Sequence, residues 1–201
     1  MYFYSQEGEK NMKIEHSETL QCLVNAFAGE SQSKNRYTFF AKVAKQEGYE
    51  QISQIFLETA ENEFEHAKLF YSHIPNAEHL TVTGAYPFFF GDTYENLKSA
   101  VSGEREEWEI LYKNSAQVAK QDGFDDIARL FNNILEIEKR HAHRFEILAE
   151  TLKSETVFKK DEMTQWVCRK CGHIHIGKEA PCKCPVCEHP QGYFQIFIEK
   201  F

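Results

Sequence analysis

The sequence predicts an all-α four-helix bundle followed by a small β-rich domain that a metal ion stabilises. Four long segments carry apolar residues at alternating spacings of three and four, which is the pattern of amphipathic helices. The second half of this helical region repeats the first at an offset of 75 residues. Five of the six cysteines lie between Cys168 and Cys187, where the helical pattern has ended.

Length and composition fit a bundle plus one small domain. The 201 residues are 42% hydrophobic and 14% aromatic, which suits a packed core. The net charge is −8, and Lys and Arg are interspersed with Glu, so nothing indicates a nucleic-acid partner. No apolar run is long enough to cross a membrane, and the first residues lack the order of a signal peptide. The sequence therefore predicts a cytoplasmic protein with no membrane partner.

The repeat places the helix connections. Residues 43–49 recur as residues 118–124, and each copy contains a glycine (Gly48 and Gly123) that marks a short turn between two helices. Residues 74–92 are rich in Pro and Gly and are long enough to cross between two antiparallel helix pairs. We expect an N-terminal extension over residues 1–11, the bundle over 12–152, a linker over 153–163 and the cysteine-rich domain over 164–201.

Glu-x-x-His occurs twice, as Glu63 to His66 and as Glu138 to His141, at equivalent places in the repeat. On a helix, residues three apart project from the same face. Each copy therefore presents a carboxylate beside an imidazole, and this ligand pair suits iron, manganese or zinc. Two equivalent copies predict a site for two metal ions.

Acidic residues on the apolar stripes are the decisive anomaly. Removing an unpaired carboxylate from water costs several kcal/mol, whereas a whole domain is stable by roughly 5–15 kcal/mol. Solvated carboxylates would be the ordinary alternative, but these recur on stripes that should be buried. We infer that cations neutralise them. The stripe residues concerned are Glu30, Glu63, His66, Glu104, Glu107, Glu138 and His141.

One extra residue has entered the third helix. Tyr37 matches Tyr112 at an offset of 75, but Glu30 matches Glu104 at an offset of 74. A single insertion within a continuing helix is usually absorbed as a π-bulge, often at a functional site. Glu107 lies in this stretch and has no Glu counterpart in the first helix, so we infer that it is an added ligand that makes the two metal positions unequal.

Two Cys-x-x-Cys pairs, Cys168 with Cys171 and Cys184 with Cys187, offer four thiolates to one metal. About forty residues build too small a core to fold alone, so the metal supplies much of the folding energy. Spacing does not separate a structural zinc from a redox-active iron. Cys182 could compete as a ligand, but a spare thiol is the better interpretation.

Together these features resemble rubrerythrin, a ferritin-like di-iron bundle fused to a rubredoxin-like domain. The likeness covers almost everything after residue 11. It is carried by residues 27–37, by residues 58–68, by Gly103 to Glu107, by the second Glu-x-x-His and by the C-terminal cysteines. Cys182 departs from the family pattern, and the N-terminal extension is unmatched.

The resemblance implies a non-haem di-iron peroxidase that reduces hydrogen peroxide to water in oxidative-stress defence. Electrons would enter through one iron in an Fe(Cys)4 site, supplied by rubredoxin or another reductase. In the family, one iron exchanges a His for a Glu between redox states, here His66 and Glu107. The family also implies a head-to-tail homodimer, or a higher homo-oligomer, in which each cysteine site serves its partner's di-iron site.

By matching positions, the resemblance assigns residues to three roles. Tyr37 and Tyr112 would hydrogen-bond among the carboxylates. The residues around the two iron ions would be Glu30, Glu63, His66, Glu104, Glu107, Glu138 and His141. The residues around the third iron would be Cys168, Cys171, Cys184 and Cys187.

Two other functions compete with the peroxidase. Ferritin-like iron storage would use a similar bundle, but storage has no need of an attached one-electron donor. A zinc-containing structural or electron-carrier protein with an idle bundle is the second. The sequence does not name the metal that is bound at either site.

Overall fold

A computed structural model of the chain describes residues 13–199, and the extension predicted over residues 1–11 lies outside them. A helical bundle is followed by a small antiparallel sheet, which confirms the predicted fold class. Among the described residues, no helix is both long and apolar enough to cross a membrane.

Four helical rods form the bundle, and the third contains one turn of π-helix. The extra residue inferred from the repeat is thus absorbed where the sequence predicts it. After a 3-10 turn (Ile14–His16), the elements are α1 (Glu18–Gln46), α2 (Glu50–Ser72), α3 (Thr93–Glu106), the π turn (Glu107–Leu111), α4 (Tyr112–Gln121) and α5 (Asp125–Lys153).

Two equivalent turns join the rods within each half. Gly48 and Gly123 have φ values of +85° and +89°, a backbone conformation that favours glycine. In both turns the residue after the glycine donates its N–H to a carbonyl in the last helical turn, which is the Schellman arrangement. These bonds run from Tyr49 to Ala44 and from Phe124 to Ala119, both at 2.8 Å.

The long crossover runs along α1 without regular structure, as the sequence predicts. Tyr86 donates its hydroxyl to the carbonyl of Asn25 at 3.1 Å, and the amide nitrogen of Gln32 donates to the carbonyl of Pro87 at 3.0 Å. A capping box of Asp92 and Glu95 then begins α3. The crossover is therefore fixed against the first helix at several points.

Two apolar layers fill the bundle, one on each side of its middle. The first layer lies towards the Gly48 turn and includes Phe40, Phe56, Leu97 and Phe145. The second lies towards the other end and includes Leu23, Phe70, Phe131 and Ile134. The predicted metal ligands occupy the level between these layers, so their surroundings exclude water.

The C-terminal domain is a three-stranded antiparallel sheet in the order β2-β1-β3, with Trp166 and Phe194 buried in its core. Its strands are β1 (Lys159–Cys168), β2 (Ile174–Glu179) and β3 (Phe194–Ile196). The strand β1 begins inside the segment 153–163 for which the sequence predicts a linker. Its charged first residues show no strand pattern, and pairing of Lys159 with Glu179 places them in the sheet.

The small domain contacts the bundle at the turn between α1 and α2. Phe158 stacks on Tyr49 with ring centroids 6.1 Å apart and planes 6° from parallel. Gly192 approaches the backbone so closely that a Cβ atom there would overlap the carbonyl group of Gly48. Because both partners are backbone, no side-chain movement relieves that overlap.

We therefore expect Gly192→Ala to separate the domain from the bundle without unfolding either. Overpacking of this kind costs about 1–3 kcal/mol. Limited proteolysis should cleave the connection at residues 154–158 faster than in the wild type. Gly177→Ala is the matched control, because its added methyl chiefly meets the movable side chain of His175. Equal cleavage rates in both variants would contradict the expectation.

Candidate metal centres

Six of the predicted ligands meet in the middle of the bundle. They are at most 5% exposed, and every rod contributes at least one. Each Glu-x-x-His motif lies on a helix that continues unbroken through the motif, so its carboxylate and imidazole face the same interior. The six are Glu30 on α1, Glu63 and His66 on α2, Glu104 on α3, and Glu138 and His141 on α5.

The first cluster surrounds the Nδ1 atom of His66. This nitrogen lies 2.9 Å from Glu138, 3.1 Å from Glu63 and 3.7 Å from Glu30. One ligand atom from each of these four residues lies within 4.8 Å of the others. The cluster can therefore hold one cation.

The second cluster repeats the first around Nδ1 of His141. This nitrogen lies 2.7 Å from Glu138, 3.2 Å from Glu63 and 3.7 Å from Glu104. Glu63 and Glu138 thus belong to both clusters, while Glu30 and Glu104 each belong to one. Shared carboxylates in the middle and unshared ones at each side are the arrangement of a bridged two-metal site.

Two buried tyrosines hold the unshared carboxylates from the opposite half of the repeat. Tyr112 donates its hydroxyl to Glu30 at 2.5 Å, and Tyr37 donates to Glu104. Each tyrosine therefore fixes the glutamate of the other half, rather than the one on its own helix. The sequence places both tyrosines near the carboxylates, but this exchange of partners depends on how the halves pack.

Glu107 lies beside the clusters without joining either. It begins the π turn and is 8% exposed, whereas Glu30 and Glu104 are completely buried. His66 takes the position next to Glu30 in this arrangement. The inference that Glu107 is an additional ligand accordingly remains a prediction.

The second histidine has an anchor that the sequence analysis missed. Nε2 of His141 lies 3.2 Å from the side-chain oxygen of Asn62, whereas His66 makes no such bond with the described residues. The position equivalent to Asn62 in the repeat is Ile137, which is unable to hydrogen-bond. Partners of this kind fix the orientation of a metal-binding imidazole. Comparing the two copies residue by residue could have identified this difference.

The buried carboxylates of the clusters resist ionisation. Burial first, and then the charges of Glu63 and Glu138, raise the pKa of Glu30 well above its usual range and that of Glu104 to about 8. Burial and the nearby Glu30 likewise raise the pKa of Glu107. Like charge is therefore unfavourable here, and bound cations would relieve it.

For the histidines, hydrogen bonds to carboxylates outweigh the effect of burial on the pKa. Burial acts to lower the pKa of His141, but hydrogen bonds to Glu104 and Glu138 raise it to about 12. Burial opposes ionisation of Glu63 as well, yet its bonds to both histidines lower its pKa. The acidic surroundings therefore favour a positive charge at this level of the bundle, which bound cations would also supply.

The donor set fits two cations. Oε2 of Glu30 and Oε2 of Glu104 are completely buried and lack a hydrogen-bond partner among the described residues. Oε1 of Glu63 and Oε1 of Glu138 are also buried, and each lies near a histidine Nδ1 atom, at 3.2 and 2.9 Å. Carboxylates and imidazoles suit iron, manganese and zinc, and two divalent cations would offset most of the negative charge.

The four predicted cysteines meet in the small domain. Their sulfur atoms lie within 4.8 Å of one another, and none is in a disulfide. Cys168 and Cys184 are buried, while Cys171 and Cys187 reach the surface. Two equivalent turns present the pairs, with Gly172 and Glu188 following them at φ values of +79° and +63°. The geometry therefore suits one tetrahedral metal ion.

The thiols of Cys184 and Cys187 differ in how readily they ionise. Burial acts to raise the pKa of Cys184, but backbone N–H groups of Cys187 and Val186 lower it to about 6. The N–H of His189 likewise acts to lower the pKa of Cys187, but burial and the neighbouring cysteines raise it to about 12. Four adjacent thiolates repel one another, so all four ionise together only around a cation.

Cys182 is exposed and lies outside this cluster. It follows a proline that leads into the second cysteine turn, and its carbonyl accepts a hydrogen bond from the N–H of Gln191 at 2.9 Å. Its backbone thus has a structural role, while its thiol is left over, as the sequence analysis favours.

Two family models together match nearly the whole helical and cysteine-rich region. The rubrerythrin model matches residues 21–149 and again 95–165. The model of the rubrerythrin rubredoxin-like domain matches residues 166–195. The match to the rubredoxin-like domain includes all four clustered cysteines.

Known relatives agree with the family models. Rubrerythrin-1 of Clostridium acetobutylicum is 47% identical, with 94% of this chain and 98% of that protein covered. Rubrerythrin of Porphyromonas gingivalis is 46% identical, with 93% and 94% covered. A solved structure of nigerythrin in a mixed-valence state is 27% identical with a TM-score of 0.60, covering 98% of this chain and 100% of that one.

Removing the metals should destabilise the bundle. Uncompensated buried charge typically costs about 3–5 kcal/mol, which lowers the Tm of a chain of this size by roughly 6–20 °C. Far-UV circular dichroism reports the helices of the bundle separately from the small sheet. Restoring the metal to the chelated protein is the control, and a Tm unchanged by chelation would contradict the expectation.

The cysteines allow a matched test. We expect Cys184→Ser to lose the metal of the small domain, because only three thiolates remain, and Cys182→Ser to keep it. Metal analysis and thiolate-to-metal absorption measure both outcomes. Metal loss in the Cys182 variant, or full retention in the Cys184 variant, would show that the ligand set is different.

Proposed function

The chain belongs to the rubrerythrin family, and on that premise we propose that it is a non-haem di-iron peroxidase that reduces hydrogen peroxide to water. It is an oxidoreductase with a carboxylate–histidine di-iron site and a four-cysteine rubredoxin-like iron site. The observation that carries the proposal is the pair of clusters that share Glu63 and Glu138. Sharing brings two metals close enough to act on one small molecule.

The reaction consumes two electrons and two protons for each peroxide, and it yields two waters. When bound, the two irons supply the electrons and polarise the oxygen–oxygen bond. Glu30, Glu63, Glu138 and His66 would hold one iron. Glu104, Glu63, Glu138 and His141 would hold the other.

Hydrogen bonds from neighbouring side chains fix the orientation of the unshared glutamates and of His141. Tyr37 and Tyr112 fix the two unshared glutamates through their hydroxyl groups. Asn62 fixes His141. Because His66 lacks such an anchor, it is the imidazole that can leave its position, and Glu107 is the nearby carboxylate that can replace it. Glu107 can also hand a proton to the departing oxygen.

Electrons would reach the di-iron site from another copy of the chain. The small domain contacts its own bundle at Gly48, which follows Glu30 by 18 residues along α1. At 1.5 Å per residue this separation is about 27 Å. A head-to-tail homodimer would bring each cysteine site to its partner's irons. Analytical ultracentrifugation of the iron-loaded protein tests for that dimer, and a stable monomer with full activity would exclude it.

The direct test of the peroxidase is anaerobic stopped-flow mixing of the reduced protein with hydrogen peroxide. We expect rapid oxidation of both iron sites, followed by turnover when rubredoxin and its reductase supply electrons. Reduced protein that peroxide leaves unoxidised would refute the proposal. Iron far in excess of the two sites, retained on gel filtration, would instead support storage.

Glu107→Gln should slow oxidation by peroxide at least roughly tenfold, with little effect on Tm. Glutamine keeps the volume of the side chain but loses its charge and its acidic proton. Glu109→Gln is the matched control, because Glu109 lies in the same π turn and is exposed. Equal oxidation rates in the two variants would show that Glu107 has no part in the reaction.

A further inference from the structure

A cavity of about 210 Å³ lies between α1, the crossover and the third rod. Glu107 and Tyr112 line its inner side, towards the metal clusters, and Tyr86 of the crossover lines its outer side. Its volume can hold several molecules as small as water or peroxide. The cavity lies on the side of the site where the π turn breaks the symmetry of the repeat.

Arg36 lines this cavity and is only 8% exposed. Its Nη2 donates to the hydroxyl of Ser33 at 3.0 Å, but Nε and Nη1 are buried and have no hydrogen-bond partner among the described residues. No carboxylate in the described part of the chain lies within ion-pair distance of it. A buried guanidinium with two unused donors is costly unless a ligand accepts from them.

Gln32 presents the complementary group. Its amide nitrogen donates to Pro87, whereas its Oε1 is buried and has no partner within residues 13–199. Gln32 and Arg36 are four residues apart on α1, so they lie on the same face and both line the cavity. One cavity therefore contains unused donors and an unused acceptor next to each other.

Glu107 connects this polar pair to the reaction site. The guanidinium of Arg36 packs against α3 at Gly103, with Nη2 3.5 Å from where a Cβ atom would lie. Glu107 follows Gly103 by four residues, and helical side chains point back towards the N-terminus. Glu107 therefore lies close to the face of this rod against which Arg36 packs, and it lines the same cavity.

We propose that hydrogen peroxide binds in this cavity before it reacts, held by Arg36 and Gln32. The inference rests on the proposed peroxidase function and adds the residues that select the substrate. One of the unpartnered N–H groups of Arg36 donates to a peroxide oxygen, and a peroxide hydroxyl donates to Oε1 of Gln32. A simple anion would satisfy Arg36 but would be repelled by the glutamine oxygen. No bond breaks in this binding step, and Glu107 lies on the route inward.

The kinetic test compares Arg36→Gln with Arg105→Gln in the iron-loaded protein. Arg105 is an exposed residue of α3 that pairs with Glu146, so its variant controls for the lost charge. Losing a hydrogen bond to a charged group should raise the KM for peroxide roughly 10- to 100-fold. The kcat should change much less, because the groups around the irons remain. Arg36→Lys, which keeps the charge, should recover part of the loss.

The second test does not depend on turnover. Crystals of the oxidised holoprotein, which holds no electrons for the reaction, would be soaked in hydrogen peroxide. We expect one elongated density feature, too short for two waters, beside Arg36 and Gln32. The same feature should be absent from Arg36→Gln crystals and weaker in Arg36→Lys crystals.

The two tests separate the possible outcomes. Peroxide density that depends on Arg36, together with a raised KM, supports the inference. A KM equal to that of the Arg105 variant, or water alone in the wild-type cavity, overturns it. If the wild type fails to react with peroxide at all, the proposed function fails, and the crystal test still decides whether the cavity binds peroxide. If Arg36→Gln does not fold, Arg36→Lys serves both comparisons.

Discussion

Burial of like charge in the middle of the bundle is the constraint on which this structure depends. Apolar layers above and below keep water away from five carboxylates. Burial raises the pKa of Glu30, because its charge is unfavourable without a counter-charge. Two bound cations would supply that counter-charge, so we expect metal binding to stabilise the fold. Glu63 and Glu138 belong to both clusters and would be shared by the two metals.

The two halves of the repeat build nearly equivalent halves of the bundle, and the chemistry that we propose depends on the positions at which the halves differ. The duplicated halves supply equivalent histidines, glutamates and tyrosines, and the tyrosines cross over to hold the opposite glutamates. Three features distinguish the two halves: the π turn that contains Glu107, the hydrogen bond of Asn62 to one histidine, and the cavity beside Arg36. On our proposals, Glu107 and the cavity would serve one metal position, while Asn62 fixes the histidine at the other.

The proposed site of electron entry and the proposed site of peroxide reduction lie in separate domains. The cysteine domain builds its site from two equivalent turns, and backbone N–H groups favour the thiolate of Cys184. Its fixed contact with the Gly48 turn leaves it at the end of its own bundle. On the proposal above, a single copy of the chain would therefore be a poor electron-transfer unit. Assembly of copies would then be part of the mechanism that we propose.

The sequence alone was sufficient to predict the helices, the paired ligands and the π turn, because repeats and residue spacings depend on local geometry. Glu-x-x-His on a helix brings two ligands together whatever surrounds it, and the shift from an offset of 75 to 74 revealed the π turn. Packing between distant helices decided the rest. Which glutamates are shared, which tyrosine holds which glutamate, and how Asn62, Gln32 and Arg36 face the site all depend on contacts across the bundle. No local spacing records those contacts, since they exist only once the two halves have closed on each other.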